Sequence, residues 1–284
     1  MQDKRPNFFM VGAPKTGTSS FFRYLSQHPD IFLPTMKELH YFSYPEVSDT
    51  YYDIPFVKSE AEYMGFFDDR RNERAAGDLS PSYLLYPQAA ERIFKFQPEA
   101  RIVISLRNPI KRAISHYLMD VRLGCQDRPL AEFMERTEDN RLFYREYIDI
   151  GMYSNQIRVY LEKFGSENVL ILLYEDFVSD PQAYIVEIFK HLGVDEQHPI
   201  DIKVHNAFSM PRFGFVRTLF QSGPAKQISS RMPDGLKRVV KSVTYWRKRP
   251  DLSSDEPQLA RIFQEDIGAV SEIIGRDLSS WLPS

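Results

Sequence analysis

The sequence predicts an α/β fold in which a parallel β-sheet is flanked by helices. Short apolar runs alternate with longer helical segments, and the runs at Phe8 and Arg101 each lead through a loop into a helix. No internal repeat or low-complexity tract interrupts this alternation. At 284 residues the chain suits one large α/β domain with insertions or two small ones. Either can bury a sizeable core.

Taken in order, Phe8-Phe9-Met10-Val11 reads as a buried strand, Gly12 to Gly17 as a loop, and Thr18 to Gln27 as a helix closed by His28-Pro29. Ile31 to Leu33 and Leu39 to Phe42 read as short extended segments separated by Pro34. Gln88 to Phe96 is helical. The run from Arg101 to Arg107 is apolar between its two arginines, as a central parallel strand requires. Asn108-Pro109 then opens a helix, with Asn as the cap and Pro at the first helical position, that runs to Leu123 and stops at Gly124. A third strand, Asn168 to Tyr174, lies between a helix from Tyr153 to Phe164 and one that opens at Asp180-Pro181 and ends near Gly193. Beyond Val204 the pattern loosens into Pro- and Gly-punctuated chain, and a helix from about Gln258 to Ile274 closes it.

Composition narrows the function. The 36 Lys and Arg stand against 39 Asp and Glu, a net charge of −3 that argues against a general nucleic-acid binder. A hydrophobic fraction of 43% excludes disorder for most of the chain. Cys125 is the single cysteine, so neither an intrachain disulfide nor a cysteine-based zinc site can form, and a reducing, cytoplasmic location is expected. No signal-peptide pattern is seen, and the longest apolar run, Val169 to Tyr174, is far below the ~18 residues of a membrane-spanning helix. No His, Cys and carboxylate set has metal-ligand spacing, so no metal is expected.

The chemistry begins at Gly12-Ala-Pro-Lys15-Thr16-Gly17-Thr18-Ser19, set between strand and helix. Backbone N–H groups of such a loop converge, and the helix N-terminus adds partial positive charge, so a phosphate is its natural guest. Against the ordinary phosphate loop, G-x-x-x-x-G-K-[ST], Gly12, Gly17 and Ser19 match. Thr18 stands in the lysine position, however, and Lys15 has moved into the loop, which argues against ATP or GTP. The sheet is therefore P-loop-like. The string itself resembles the 5′-phosphosulfate loop of sulfotransferases that use 3′-phosphoadenosine 5′-phosphosulfate (PAPS).

That family pairs the loop with a 3′-phosphate site of the form R-x-x-x-x-x-x-x-S. Arg107 ends the second strand here, and Ser115 follows eight residues later on the next helix. A guanidinium fork grips phosphate bidentately, and a helix hydroxyl donates to another oxygen. Lys37-Glu38-Leu-His40-Tyr-Phe42 resembles the K-E-x-H-F-F segment of the heparan-sulfate branch, in which the glutamate is the catalytic base. The resemblance thus implies Glu38, or else His40, as the base, and Lys15 as the cation that meets the departing phosphate oxygen. It implies cofactor contacts from Lys15, Thr16, Gly17, Thr18, Ser19, Arg107 and Ser115. Tyr153, in a G-x-Y element, and Arg212, in the segment His205 to Gly214, are looser candidates. Asp78-Leu-Ser80-Pro81-Ser82-Tyr83 is similar to a segment lining the acceptor side. Heparan enzymes carry K-G with flanking cysteines near the position of Arg212, which this chain lacks.

The resemblance covers most of residues 7–195. It implies one sulfotransferase domain over 1–284, with a core at about 7–195 and a helical, loop-rich region at about 196–284. The implied acceptor is a hydroxyl on a saccharide, a natural-product intermediate or a lipid, free or bound to a carrier protein. Six basic residues between Lys237 and Arg249, around Tyr245 and Trp246, read first as a solvated segment and second as a lure for an anionic partner. Two other readings stay open: a P-loop kinase or NTPase, and a non-catalytic nucleotide-binding module.

Overall fold

The computed structural model describes residues 4–202, the backbone of 210–211 and 245–246, and residues 251–283. Its centre is a five-stranded sheet of β1 (Phe8–Gly12), β2 (Ile31–Phe32), β3 (Ala75–Leu79), β4 (Arg101–Leu106) and β5 (Val169–Leu173) in the order β2-β3-β1-β4-β5. Every pairing in it is parallel. Among the described residues the helices are α1 (Thr18–Leu25), α2 (Glu60–Gly65), α3 (Pro87–Phe96), α4 (Pro109–Leu123), α5 (Arg141–Tyr147), α6 (Tyr153–Phe164), α7 (Tyr174–Ser179), α8 (Pro181–Leu192) and α9 (Glu256–Ile274). Met210–Pro211 (β6) and Tyr245–Trp246 (β7) form a separate antiparallel pair.

Strand alternation explains the layers. Side chains of period two leave opposite faces, so Phe8, Met10 and Val103 pack with Phe21 of α1 and Ile185 and Ile188 of α8 on one side. Phe9, Val11, Ile102 and Ile104 pack on the other with α3, α4, α6 and α9. Burial on both faces is why the strands read as continuous apolar runs. The last helix belongs to this second core through Leu259, Phe263 and Ile267. It also caps α6: Asp266 accepts from the N–H groups of Tyr153 (2.6 Å) and Ser154 (3.1 Å).

The sequence reading missed β3, whose residues Ala-Ala-Gly-Asp-Leu are all buried yet lack the β-branched run that marks a strand. Its glycine explains the composition. A Cβ on Gly77 would stand 2.0 Å from the Phe8 ring, so the neighbouring strand's aromatic occupies that volume. Gly77→Ala is therefore expected to lower unfolding free energy by about 1–3 kcal/mol, read from urea midpoints at unchanged slope. The extended segment expected at Leu39 to Phe42 is corrected as well: a 3₁₀ turn covers Tyr41–Ser43, and His40 before it has φ 57°.

Topology fixes where a ligand goes. From β1 the chain proceeds to β2 and β3 on one side, whereas β4 and β5 extend the other, so the connections diverge between β1 and β4. At such a switch point the loops beyond the strand ends part and leave a crevice. The loop after β1 and Arg107 after β4 both border it. Among the described residues no helix is long and apolar enough to cross a membrane.

Candidate active site

A cleft of about 810 Å³ opens at this switch point. Lys15, Gly17, Thr18, Ser19, Arg107 and Ser115 line it, as do Glu38 and His40. Two expected residues do not. Thr16 is buried and donates from Oγ1 to the Ala13 carbonyl at 2.7 Å, which ties the loop across itself. Tyr153, expected near the nucleotide, is not among the lining residues, and its buried hydroxyl donates to the Arg107 carbonyl at 3.1 Å. Arg212, like the basic segment from Lys237 to Arg249, lies outside the described residues.

The loop is built on an extension of the sheet, because the Ala13 N–H donates to the Ser105 carbonyl at 2.7 Å. Gly17 then takes φ 89° to start α1, a backbone state open to glycine without strain. Lys15 adopts φ 74° with a side chain attached, as do Glu38 at 62° and His40 at 57°. Among the described residues these are the only non-glycine residues with left-handed backbone, and all three line the cleft. Each such residue costs roughly 1–3 kcal/mol, sustained only where the surroundings overdetermine the geometry, and such sites cluster where function sets the conformation.

Lys15 points into the protein's cationic corner. Its Nζ lies 3.1 Å from Met119 Sδ. Burial, with help from Arg122, Arg107 and Arg112, lowers its pKa to about 8, and Asp120 opposes them. Arg107 donates from Nη1 to the Lys15 carbonyl at 2.9 Å, and its guanidinium sits 4.8 Å over the Tyr174 ring. The fork is thereby oriented at the strand end, with the Ser115 hydroxyl two turns into α4 on the same cleft. Asn108 caps that helix as expected, accepting from Ile110 N–H at 2.9 Å and Lys111 N–H at 3.2 Å.

Across the cleft, Glu38 Oε1 pairs with Lys37 Nζ, which also donates to Ser19 Oγ at 2.9 Å. Lys37 thus joins the carboxylate to the loop, a link the motif alone does not reveal. Glu38 Oε2 lies 4.0 Å from His40 Nε2. Burial lowers the pKa of His40, so its ring is neutral at pH 7. Its Nδ1 is 2.8 Å from Ser82 Oγ, itself 2.8 Å from Ser43 Oγ. The Ser80 hydroxyl accepts from the His40 N–H at 3.2 Å and donates to Asp78 at 2.6 Å. Asp78 is buried and pushed up to about 6 by that burial, against the hydroxyls of Ser80, Tyr83 and Tyr63. The segment Asp78 to Tyr83 therefore works as a scaffold for His40, with Ser82 reaching the cleft itself.

A second polar cluster lies beneath the Lys15 corner. Asp120 accepts from the hydroxyls of Tyr51 (2.6 Å), Tyr147 (2.7 Å) and Tyr52, and Tyr52 is also 2.8 Å from His116 Nε2. Buried Arg112 lies 3.2 Å from His116 Nδ1. Sequence reasoning missed this cluster, though its signal is present: Arg112, His116 and Asp120 recur every fourth residue on α4 and so share one helix face.

Lys15 and Arg107 gather at the switch-point loop of a P-loop-like α/β fold, and the Glu38 carboxylate lines the same cleft. The chain matches the sulfotransferase domain family over residues 5–222, and it belongs to that family. A sulfotransferase of known structure from Alicyclobacillus acidocaldarius is 33% identical, with 98% of each chain covered and a TM-score of 0.74. The bifunctional heparan sulfate N-deacetylase/N-sulfotransferase 4 of Mus musculus is 25% identical over 99% of this chain and 31% of its own length. The heparan sulfate glucosamine 3-O-sulfotransferase 6 of the same species is 26% identical over 66% of this chain and 52% of its own. The chain thus spans no more than about half the length of these curated relatives.

Proposed function

We propose that the protein is a PAPS-dependent sulfotransferase, acting as one domain over 1–284 in the cytoplasm, that forms a sulfate ester on an acceptor hydroxyl. The observation that carries this reading is convergence: the loop with Lys15, the Arg107–Ser115 pair and Glu38 come from separate parts of the chain and line one cleft. The donor set suits PAPS, with Lys15 and the loop residues Gly17 to Ser19 for the 5′-phosphosulfate and the Arg107 fork with Ser115 for the 3′-phosphate. PAPS supplies the sulfuryl group.

The chain's own residues do the rest. Glu38 takes the proton of the acceptor hydroxyl as its oxygen bonds to sulfur. His40, neutral and held by Ser82, orients that carboxylate. Lys15 meets the charge that grows on the 5′-phosphate oxygen as the sulfur–oxygen bond breaks and the electron pair stays with phosphate. Adenosine 3′,5′-bisphosphate leaves.

Calorimetric titration with adenosine 3′,5′-bisphosphate, and separately with ATP and magnesium, tests the donor class. Micromolar bisphosphate binding with ATP much weaker is expected. Tighter ATP binding moves a kinase or NTPase to first place, and donor binding without turnover on a wide acceptor panel points to a non-catalytic module.

Lys15 adds a pH dependence. Its pKa of about 8 in the free protein rises when phosphate oxygens approach, so the bound state takes up a proton. Affinity is then fully present below pH 8 and falls as pH climbs through the free-state and toward the bound-state value. Bisphosphate Kd is expected to rise about tenfold from pH 7 to pH 9. Titrations at pH 8.5 in two buffers of different ionisation heat should show the proton uptake, and Lys15→Met should abolish both effects.

A further inference from the structure

Resting on the sulfotransferase reading, we infer that Asp120 is a positioning residue of the donor site: its carboxylate, clamped by three phenols, keeps Lys15 a cation while the cleft is empty. The need for it lies in the company that Lys15 keeps. Arg107 comes from the end of β4, Arg112 and Arg122 come from α4, and together with burial they press the ammonium toward its neutral form. The contact that Lys15 Nζ makes at 3.1 Å is to Met119 Sδ, a weak acceptor that brings no charge. Arg112 is itself a buried cation. It donates to His116 Nδ1 at 3.2 Å and to the Tyr147 carbonyl, both neutral groups, and its Nε has no hydrogen-bond partner among the described residues.

Asp120 is the counterweight. It follows Met119 on α4, and it draws Lys15 back toward the charged form. A buried carboxylate tends to give up its own charge, and burial does push the Asp120 pKa up. Three phenols oppose this: Tyr52 donates to Oδ1, and Tyr51 (2.6 Å) and Tyr147 (2.7 Å) donate to Oδ2. O–H donors converging on both oxygens are what an ionised, acceptor-only carboxylate takes. His116 completes the arrangement. Because an arginine only donates, His116 Nδ1 accepts from Arg112, which leaves the proton of the neutral ring on Nε2, 2.8 Å from the Tyr52 hydroxyl oxygen. Tyr52 is thereby free to give its own proton to Asp120. Glu146, the other acid facing the cluster, is held by Arg145 at 2.9 Å.

The phenols come from two places, the loop between the Glu46–Ser48 turn and α2 and the end of α5, so separate segments fold around one carboxylate. A bound donor brings its own negative oxygens to Lys15, and the carboxylate therefore matters most before binding. With Asp120 charged, the loop meets the donor with its cation already formed. Without it, the free-state pKa of Lys15 falls below about 8, and affinity, fully present below that pKa, is lost from a lower pH as the solution is made basic.

The test measures the Kd of adenosine 3′,5′-bisphosphate by calorimetry from pH 6 to pH 9 on the full chain and on Asp120→Asn. Both proteins meet the same nucleotide, so its own ionisation cancels in the comparison. At pH 6 Lys15 is charged in both, and the variant is expected to bind equally or more tightly, since a negative group has been taken from beside an anion. The pH at which Kd has doubled from its own pH 6 value is expected about one unit lower in the variant. Tyr51→Phe, which removes one phenol and keeps the carboxylate, should lower Tm and leave that pH in place. A scaffold role for Asp120 would raise Kd about equally at every pH. An onset that does not move in Asp120→Asn overturns the inference and, with the parent binding normally, leaves the sulfotransferase reading standing. Failure of both Asp120→Asn and the second neutral variant, Asp120→Ser, to fold would make the carboxylate a requirement of the fold and overturns it too. Failure of bisphosphate to bind the parent overturns the sulfotransferase reading, and this inference with it.

Discussion

Glu38→Gln is expected to lower kcat for sulfuryl transfer by about 10³-fold while adenosine 3′,5′-bisphosphate affinity stays within about threefold. The amide keeps the shape of the side chain and removes its ability to accept a proton. Its left-handed backbone at φ 62° is unaffected by a change confined to the side-chain end. Lys37 loses its ionic partner but retains Ser19 Oγ at 2.9 Å, so the loop stays joined to this side of the cleft. The comparison that assigns the base is His40→Gln. With one ring nitrogen at Ser82 and the other facing Glu38, His40 acts through that carboxylate, and its loss should cost about ten- to a hundredfold in kcat. A loss larger in His40→Gln than in Glu38→Gln would exchange the roles.

The contrast between what sequence reading reached and what it missed follows from how each feature is encoded. β4 and α4 were legible because an apolar run and an Asn-Pro start are local signals, and Asn108 caps the helix as its chemistry requires. The pairing of Arg107 with Ser115 rests instead on the resemblance, whose R-x-x-x-x-x-x-x-S signature spans a strand end and the helix after it. β3 was not legible because Gly77 is chosen by the Phe8 ring of another strand, a partner remote in sequence. The stretch Leu39 to Phe42 departs from its extended reading for a related reason. Leu39 to Phe42 is apolar enough for a strand, yet the Ser80 hydroxyl under the His40 N–H and Arg92 on the Phe42 carbonyl reward a turn. Tyr153 illustrates a third limit: its hydroxyl meets the Arg107 carbonyl, a contact between residues remote in sequence that no local pattern encodes.

Arg107→Ala should raise the Kd for adenosine 3′,5′-bisphosphate about 100-fold or more, equivalent to roughly 3 kcal/mol for a charge-assisted fork removed from a cleft. The size of the effect comes from two losses at once. The 3′-phosphate loses its bidentate donor, and the Lys15 carbonyl loses the 2.9 Å bond that fixes the far side of the loop. The fold should survive, because Tyr153 bonds to the residue-107 carbonyl, which the substitution keeps. A Tm within a few degrees of the parent is the control for this. Arg107→Lys divides the two contributions: it restores a point charge without the fork or its planar stacking on Tyr174, so recovery should be partial, about tenfold of the hundred. Full recovery with lysine would mean that charge alone matters. An unchanged Kd in Arg107→Ala would show that the 3′-phosphate is held elsewhere, and the donor assignment would lose the half that separates PAPS from other nucleotides. The expected pattern, a large loss with alanine and a partial one with lysine, ties the strand-end arginine to a phosphate that ATP does not carry.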